Sequence, residues 1–289
     1  MNVQRKKLAQ LREMFVSELN DVYVEQEIES LFFLVAESVL GLNKLEIRMQ
    51  SDHVLEKSIA EKIVDILMQL QKKIPVQYIL GEADFYDLKF NVDNNVLIPR
   101  PETEELVRWV LDTVKSVHKT PTKIIDVGTG SGCIPIVLSA NIAGANVFGV
   151  DVSEKALNVA EVNKKRNNSA VKFFCLDILK DDLTAFGALD VVVSNPPYVL
   201  DSEKELMHAN VLDYEPPLAL FVEDSDPLLF YRQIAKVAME SLVSGGHLFF
   251  EINERYGDET VDLLHSFRYK SIELRKDING RNRLIRCVK

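Results

Sequence analysis

A glycine-rich segment stands between a predicted strand and a predicted helix. At the carboxyl end of a buried strand, glycines let the backbone approach a ligand closely. The segment reads Asp126-Val-Gly128-Thr129-Gly130-Ser131-Gly132. A dinucleotide-binding loop needs a further glycine where this chain has Cys133, so the spacing departs from that fingerprint. The carboxylate of Asp126 would repel a pyrophosphate and would suit a ligand with a cationic amino-acid end.

Two more acids follow the next two predicted strands. Asp151 ends the second strand, 19 residues after Gly132, where an acid typically accepts hydrogen bonds from ribose hydroxyls. Asp177 follows the third strand, where it could accept the amino group of an adenine, with Ile178 packed on the ring. Taken alone, an acid at a strand end more often caps a helix than binds a ligand. As an ordered set they favour S-adenosylmethionine as the ligand, with NAD as the weaker alternative.

The segment Asn195-Pro196-Pro197-Tyr198 directly follows the fourth predicted strand. Two prolines remove two backbone donors and fix φ, so the chain leaves the sheet in an extended arc. The Asn195 side-chain oxygen and the Pro196 carbonyl could accept the two hydrogens of an NH₂ group, while Tyr198 covers a planar group. Such acceptors would hold a nitrogen in line with a methyl donor and stabilise its developing charge. A plain Asn-Pro turn is the alternative.

Alternating strand and helix patterns place these segments on a predicted sheet. Strands are expected at 123–127, 147–150, 171–174, 190–193 and 246–250, and helices at 103–115, 133–141, 153–166 and 227–242. This order predicts a doubly wound, Rossmann-like α/β domain with helices on both faces. Residues 269–274 and 283–288, on either side of a turn, predict a closing antiparallel hairpin.

The beginning of the chain has a different pattern. Apolar residues recur at helical spacing over 3–73, with Ser51 or Asp52 as the expected N-cap of the second stretch. The short runs 84–90 and 96–98, on either side of a turn at 93–95, predict a hairpin. We therefore predict a helical docking domain over 1–73, a β-hairpin linker over 74–102 and a methyltransferase domain over 103–289.

Composition narrows the class of protein. The 289 residues include 34 basic and 44 acidic side chains, a net charge of −10, which disfavours a general nucleic-acid binder. The three cysteines form no Cys-x-x-Cys pair and the five histidines are scattered, so neither disulfides nor a metal site is expected. No apolar run approaches the ~20 residues of a membrane span, and no signal peptide is evident. A cytoplasmic protein is expected.

The glycine segment and residues 195–198 together resemble class I methyltransferases that act on planar nitrogens of DNA adenine, ribosomal RNA guanine or protein glutamine. Further stretches resemble one branch of that group, the release factor glutamine methyltransferases of the HemK/PrmC type. These are Pro75–Gly81, Leu97-Ile-Pro-Arg-Pro-Glu-Thr-Glu104, Tyr214-Glu215-Pro216 and Ala219-Leu220. The resemblance covers nearly the whole chain.

This resemblance implies methylation of the glutamine in the Gly-Gly-Gln motif of class I release factors. It implies cofactor contacts from 128–132, Asp151 and Asn195, and substrate contacts from 195–198. Many members carry an aromatic residue where this chain has Ile178. The segment Glu251-Ile-Asn-Glu254 also departs from the family pattern, and the sequence indicates no role for it.

Arg100 and Glu102 lie beside two prolines, directly before the predicted methyltransferase domain. We predict that they shape the substrate cleft; the alternative is a surface ion pair at a helix start, which would contribute little to stability. The expected partner is a class I release factor, without direct stable nucleic-acid binding or membrane contact, and the expected state is a monomer.

Two other classes of function stay open on the residues alone. A nucleic-acid N-methyltransferase would use the same Asn-Pro-Pro-Tyr site, but phosphate binding needs clustered basic residues. Dense clusters occur only at 5–7, 164–166 and 281–286. A non-catalytic adaptor would use the helical part to bind partners and would not bind S-adenosylmethionine.

Overall fold

The computed structural model describes residues 6–117, 122–207 and 209–289. These residues form two compact units. The first contains the described residues up to Gly81 together with 209–214, and the second contains 82–207 and 215–289. Residues 1–5 of the predicted helical domain lie outside the described part.

The first unit is helical, as its apolar spacing predicts. Its core is built from apolar side chains that recur every three or four residues, among them the fully buried Leu11, Phe15 and Ile63. The helices are α1 (Leu8–Leu19), α2 (Glu25–Leu40), α3 (Lys44–Met49), α4 (Lys57–Leu70) and α5 (Val76–Leu80).

The expected N-cap at Ser51 or Asp52 is wrong. α4 begins at Lys57, after Glu56, because the chain first forms a turn and a bridge between Lys7 and Val54. Asp52 instead pairs with the ammonium group of Lys7 at 2.9 Å. The side-chain cap in this region belongs to α3, where Asn43 accepts from two backbone N–H groups at 3.0 Å each.

The predicted hairpin exists, but its turn is elsewhere. Strands β1 (Glu82–Phe85) and β2 (Leu88–Asn91) pair antiparallel around Tyr86 and Asp87, which both have positive φ. The run that was expected to be one strand therefore folds back on itself, and 96–98 forms no strand. Asn91 exchanges two hydrogen bonds with the side chain of Asn163. The hairpin thus lies within the second unit, whereas the sequence predicted a linker over 74–102.

The second unit alternates strands and helices in the predicted order. Its helices are α6 (Pro101–Val117), α7 (Cys133–Asn141), α8 (Glu154–Arg166), α10 (Pro217–Leu220), α11 (Leu229–Ser241) and α12 (Gly257–Ser266), with α9 (Ala209–Leu212) belonging to the first unit. Its further strands are β3 (Lys123–Val127), β4 (Asn146–Asp151), β5 (Lys172–Cys175), β6 (Leu189–Ser194), β7 (Val199–Leu200), β8 (Phe221–Val222), β9 (Leu242–Glu251), β10 (Lys270–Lys276) and β11 (Asn282–Val288). The sequence did not predict α12 or the short elements β7, α10 and β8.

Seven strands form one sheet in the order β10-β11-β9-β6-β3-β4-β5. The five strands from β9 to β5 run parallel, and β11 and β10 are antiparallel additions. This confirms the doubly wound α/β fold with an antiparallel C-terminal hairpin. The chain moves outward from β3 to β5 and then returns to β6 on the other side of β3. Strand order therefore reverses between β3 and β6, which is where open α/β sheets form a ligand crevice.

Helices cover both faces of the sheet. Val193 and Phe249 pack on one face with the side chains of α6 and α7, while Val192 and Phe250 pack on the other with α11. This alternation along the strands explains why their sequences are almost continuously apolar. Among the described residues, no helix is long and apolar enough to cross a membrane.

Candidate active site

The glycine segment forms a tight loop between β3 and α7. Gly128 and Gly130 have φ of +75° and +52°, a region that glycine enters without steric cost. The N–H groups of Gly128 and Thr129 both donate to the Val150 carbonyl, at 2.9 and 3.0 Å. A Cβ added to Gly128 or Gly130 would meet no atom within 4 Å. The two glycines therefore leave open space where a ligand can approach the backbone.

Gly132 has a different role in the same loop. It caps the N-terminus of α7 with φ of +78°, and a Cβ there would lie 2.9 Å from the ring of Phe173. This glycine is required for helix–sheet packing as well as for the turn.

Asp151 joins the glycine loop to the end of β4. Its Oδ2 accepts from the Gly130 N–H at 2.8 Å, and its Oδ1 accepts from the Ser153 N–H at 2.9 Å. Burial raises the pKa of this carboxyl above its usual value, although the backbone N–H groups of Ser153 and Gly130 oppose the rise. Each oxygen keeps further acceptor capacity, and the side chain lines the cleft. It can therefore accept ligand hydroxyls.

Asp126 lies behind the cleft rather than in its wall. It is fully buried, and among the described residues no group donates a hydrogen bond of ordinary geometry to either carboxylate oxygen. Burial raises the pKa of Asp126 to about 7, the Thr129 hydroxyl opposes the rise, and the Asp151 charge adds to it. Its neighbour Val127 lines the cleft instead, because successive side chains of β3 point to opposite faces.

Asp177 and Ile178 both line the cleft beyond β5. The Asp177 carboxylate pairs with the Lys180 ammonium at 2.8 Å, and this hydrogen bond is the main cause that lowers the pKa of Asp177. Ile178 is buried and contributes to an apolar wall. The other apolar members of that wall include Val127, Ile134, Val150, Leu176, Phe230 and Ile234.

Asn195, Pro196 and Pro197 line the same cleft, at the end of β6. The Asn195 Nδ2 donates to the Thr103 hydroxyl at 3.2 Å. Among the described residues no group donates to Asn195 Oδ1, so this oxygen remains an available acceptor. β6 pairs with β3 at the position where strand order reverses, and the Asn-Pro-Pro segment and the glycine loop therefore reach one crevice.

Tyr198 does not line the cleft. Its hydroxyl donates to Glu251 Oε1 at 3.1 Å, and its ring lies 6.0 Å from the guanidinium carbon of Arg283. Burial, and then the Glu251 charge, raises the pKa of Tyr198 well above its ordinary value. The predicted role of Tyr198 as a cover for a planar group does not match this position. The tyrosine instead anchors the segment that precedes it.

Residues 251–254, for which the sequence indicated no role, hold residues 195–198 in place. Glu251 ends β9, which pairs with β6, and it accepts from the hydroxyls of Thr103 and Tyr198. Asn253 Nδ2 donates to the Tyr198 carbonyl at 3.0 Å. A signal was present in the sequence, because an acid directly after the apolar run 248–250 must be buried, and a buried carboxylate needs hydrogen-bond donors.

Arg100 and Glu102 have different positions. Arg100 lines the cleft and its Nη2 lies 2.6 Å from Oε1 of the buried Glu215. Burial raises the pKa of Glu215 and the Arg100 charge opposes the rise. Glu102 lies outside the cleft wall, and its Oε1 accepts from Asn279 Nδ2 at 3.5 Å. The structure therefore brings only Arg100 of this pair to the site.

The cleft opens to solvent and contains about 1120 Å³ of empty space when its solvent-filled mouth is included. It combines glycine backbone, one carboxylate at the end of β4, an apolar wall and the Asn195 amide. These features suit an elongated ligand with hydroxyl and apolar planar parts. Within the described residues, no group of three or more His, Cys, Asp or Glu side chains could hold a metal ion.

Comparisons with known proteins agree with this architecture. Residues 10–81 match the PrmC N-terminal domain family, and residues 108–215 match the methyltransferase small domain family. A solved methyltransferase structure from Pyrococcus furiosus superposes with a TM-score of 0.51 at 18% identity, covering 71% of this chain and 90% of that one. At this identity the likeness shows the fold alone.

Two relatives cover almost the whole chain. The release factor glutamine methyltransferase of Flavobacterium psychrophilum is 45% identical over 277 residues, which span 95% of this chain and 96% of the relative. The protein of the same description from Bacteroides thetaiotaomicron is 42% identical over 92% of this chain and 95% of its own length. On this similarity, the chain belongs to the release factor glutamine methyltransferase family.

Proposed function

We propose that this protein transfers the methyl group of S-adenosylmethionine to the side-chain amide nitrogen, N5, of the glutamine in the Gly-Gly-Gln motif of class I release factors. The observation that carries the proposal is the placement of Asn195, with an available Oδ1, in one cleft with the glycine loop. Membership of the release factor glutamine methyltransferase family, established by the similarity above, supports the choice of substrate.

The residues of the cleft fit S-adenosylmethionine. Asp151 offers acceptors for ribose hydroxyls, the open backbone at Gly128 and Gly130 admits the amino-acid end, and Ile178 provides an apolar surface for the adenine. Asp126 is fully buried behind the cleft, so we assign it no direct contact with the ligand. When bound, S-adenosylmethionine supplies an electrophilic methyl group.

Asn195 and Pro196 would prepare the glutamine for this transfer. An amide nitrogen is a weak nucleophile because its lone pair is delocalised. We assign the two N–H groups of the glutamine to the Asn195 Oδ1 and the Pro196 carbonyl, which fix the nitrogen in line with the methyl carbon. As the N–C bond forms and the S–C bond breaks, both acceptors stabilise the positive charge on nitrogen. The extra proton then leaves to solvent, so no strong base is needed.

The helical unit offers a surface for the body of the release factor. Leu45 and Met49 lie one turn apart on α3 and are 67% and 79% exposed, and adjacent exposed apolar side chains are typical of interaction sites. We propose that this surface binds the release factor outside its Gly-Gly-Gln motif. We further propose that the enzyme acts as a monomer, and that the reaction takes place in the cytoplasm, where release factors act.

Transfer of label from radioactive S-adenosylmethionine tests the proposed function. The protein is incubated separately with a class I release factor, the same factor with its motif glutamine replaced by alanine, ribosomal RNA and DNA. Label on the first substrate alone is expected. Label on a nucleic acid alone would replace the proposal with the nucleic-acid N-methyltransferase alternative, which the net charge of −10 disfavours. Failure to bind S-adenosylmethionine in calorimetry would indicate an adaptor.

A further inference from the structure

Three polar side chains from separate parts of the fold form a hydrogen-bond series that ends at the cleft. Thr103 lies in the first turn of α6, Asn195 follows β6 and Glu251 ends β9. The Thr103 hydroxyl donates to Glu251 Oε2 at 2.7 Å and accepts from Asn195 Nδ2 at 3.2 Å. Thr103 and Glu251 are 3% and 1% exposed, so water cannot readily replace either contact.

The order of donors and acceptors in this hydrogen-bond series fixes the Asn195 amide. An ionised carboxylate only accepts hydrogen bonds, and a threonine hydroxyl has a single hydrogen to donate. While Glu251 takes that hydrogen, Thr103 can only accept from Asn195. The NH₂ end of the Asn195 amide must then face Thr103, which leaves Oδ1 as the end that is available in the cleft.

A flipped amide would oppose the proposed reaction. It would present two N–H donors to a substrate NH₂ group, and donor facing donor is repulsive. Asn195 alone does not determine which end faces the cleft, because the two ends of an amide are nearly equal in size. The buried Glu251, by accepting the hydrogen of Thr103, therefore selects the productive orientation of the Asn195 amide.

We propose that Glu251, acting through Thr103, is a positioning residue that holds the Asn195 amide with its oxygen toward the methyl-accepting nitrogen. This inference rests on the proposed function, because it assigns the acceptor role of Asn195 in that reaction. Glu251 has a second contact of the same kind, since Tyr198 donates to Oε1 and so fixes the other end of residues 195–198.

The charged and titratable groups around Glu251 give the arrangement a pH dependence. Burial raises the pKa of Glu251, the charge of Glu102 adds to the rise, and the hydroxyls of Thr103 and Tyr198 and the charge of Arg283 oppose it. Tyr231 also lies within electrostatic range of Glu251. A protonated Glu251 could donate to Thr103, which would free the threonine hydrogen and release the amide. Turnover should therefore fall as pH falls through the pKa of Glu251.

The first test removes the Thr103 hydroxyl, which stands between Asn195 and Glu251 in the hydrogen-bond series. Thr103→Val keeps the side-chain shape but lacks the hydroxyl, and we expect kcat to fall by about tenfold or more, as for loss of one hydrogen bond to a charged group. The dissociation constant of S-adenosylmethionine should stay within about threefold of wild type, since Thr103 is assigned no polar contact with the cofactor. Thr103→Ser, which restores the hydroxyl, should recover most of kcat.

A matched control lies on the same helix. Thr113 is also buried in α6, and its hydroxyl accepts from Arg286 at 3.1 Å away from the cleft. Thr113→Val should lose stability and keep the wild-type kcat. If Thr113→Val and Thr103→Val lower kcat equally, the Thr103 effect is structural and the inference is wrong.

A double-variant cycle and a pH profile complete the test, with methyl transfer measured in single turnovers. In an Asn195→Ala background, Thr103→Val should cause no further loss of kcat, because Thr103 and Glu251 then have no amide to orient. Glu251→Gln should lower kcat and remove the decline of wild-type turnover at low pH. Additive losses in the Thr103 cycle would overturn the inference even if Glu251→Gln folds poorly, since that cycle does not use the Glu251 variant. An unchanged low-pH decline in folded Glu251→Gln would overturn it as well. Absence of transfer by the wild-type protein would instead refute the proposed function.

Discussion

The backbone N–H of Gly130 donates to Oδ2 of Asp151 over 2.8 Å. This bond ties the loop that follows β3 to the end of the neighbouring strand β4, two segments 21 residues apart in the chain. The same carboxylate also accepts from the Ser153 N–H at the start of α8. One side chain thus shapes the glycine loop and, in the proposed function, binds the ribose.

Replacing Asp151 should weaken cofactor binding strongly. Asp151→Ala removes the acceptor for Gly130 and for the ribose hydroxyls, so the dissociation constant of S-adenosylmethionine should rise by about 10- to 100-fold, as for loss of charge-assisted hydrogen bonds. Isothermal titration calorimetry measures this change. Asp182→Ala is the control, because Asp182 accepts from the N–H and the hydroxyl of Thr184 in an exposed turn outside the cleft. Equal affinities for the two variants would contradict the assignment.

Replacing Asn195 should separate chemistry from cofactor binding. Asn195→Ala removes the side-chain acceptor for the substrate amide, and kcat should fall by about 10²- to 10³-fold, as when an active-site group that stabilises developing charge is lost. The dissociation constant of S-adenosylmethionine should change by less than about threefold, because Asp151 and the glycine loop provide most of the predicted contacts. Single-turnover methyl transfer and calorimetry measure the two quantities, and turnover close to wild type would refute the acceptor role.

Asp126 should make folding stability depend on pH. Its pKa of about 7 in the folded protein lies above the roughly 3.9 expected in the unfolded chain, so the folded state holds the proton more firmly. The resulting stabilisation is complete below about pH 4 and is lost as pH rises toward 7, with a slope of up to about 1.4 kcal/mol per pH unit.

Asp126→Asn measures that contribution, because asparagine has a similar shape and does not titrate. The free energy of unfolding, obtained from urea titrations between pH 4.5 and 7.5, should decline more steeply with pH in the wild type than in the variant. Parallel curves would show that Asp126 does not take up a proton in this range. The difference between the two proteins cancels the titration of other groups, apart from the electrostatic coupling to Asp151.

The exposed surface of α3 should contribute to recognition of the whole release factor. A Leu45→Glu and Met49→Glu double variant places two charges on this apolar surface, so KM for the intact factor should rise by about tenfold or more while kcat is kept. Methylation of a short Gly-Gly-Gln peptide should not change. Val162→Glu is the control, since Val162 is 50% exposed on α8 in the other unit. An unchanged KM for the intact factor would exclude α3 as the contact surface.

Local pattern was sufficient for most secondary structure in the second unit. β3, β6 and α7 lie where apolar runs and the neighbouring glycines predict them. Each apolar run reflects burial of one or both faces of the strand or helix. The hairpin turn was misplaced, since Tyr86 and Asp87 adopt positive φ without a glycine or asparagine to signal it. The turn is also held by a contact that is distant in sequence, since the Tyr86 N–H donates to Glu104 Oε1 at 2.9 Å.

The sequence by itself determined the fold class, the glycine loop and the position of the Asn-Pro-Pro-Tyr segment after a strand, because strand ends, glycine spacing and paired prolines are local features. Only the tertiary structure decided which side chains meet. The order of strands places Glu251 beside Asn195, turns Tyr198 away from the cleft and keeps Asp126 behind it. The hydrogen bond between Thr103 and Glu251 joins residues 148 positions apart, and a pattern that repeats every two or four residues contains no information about such pairings.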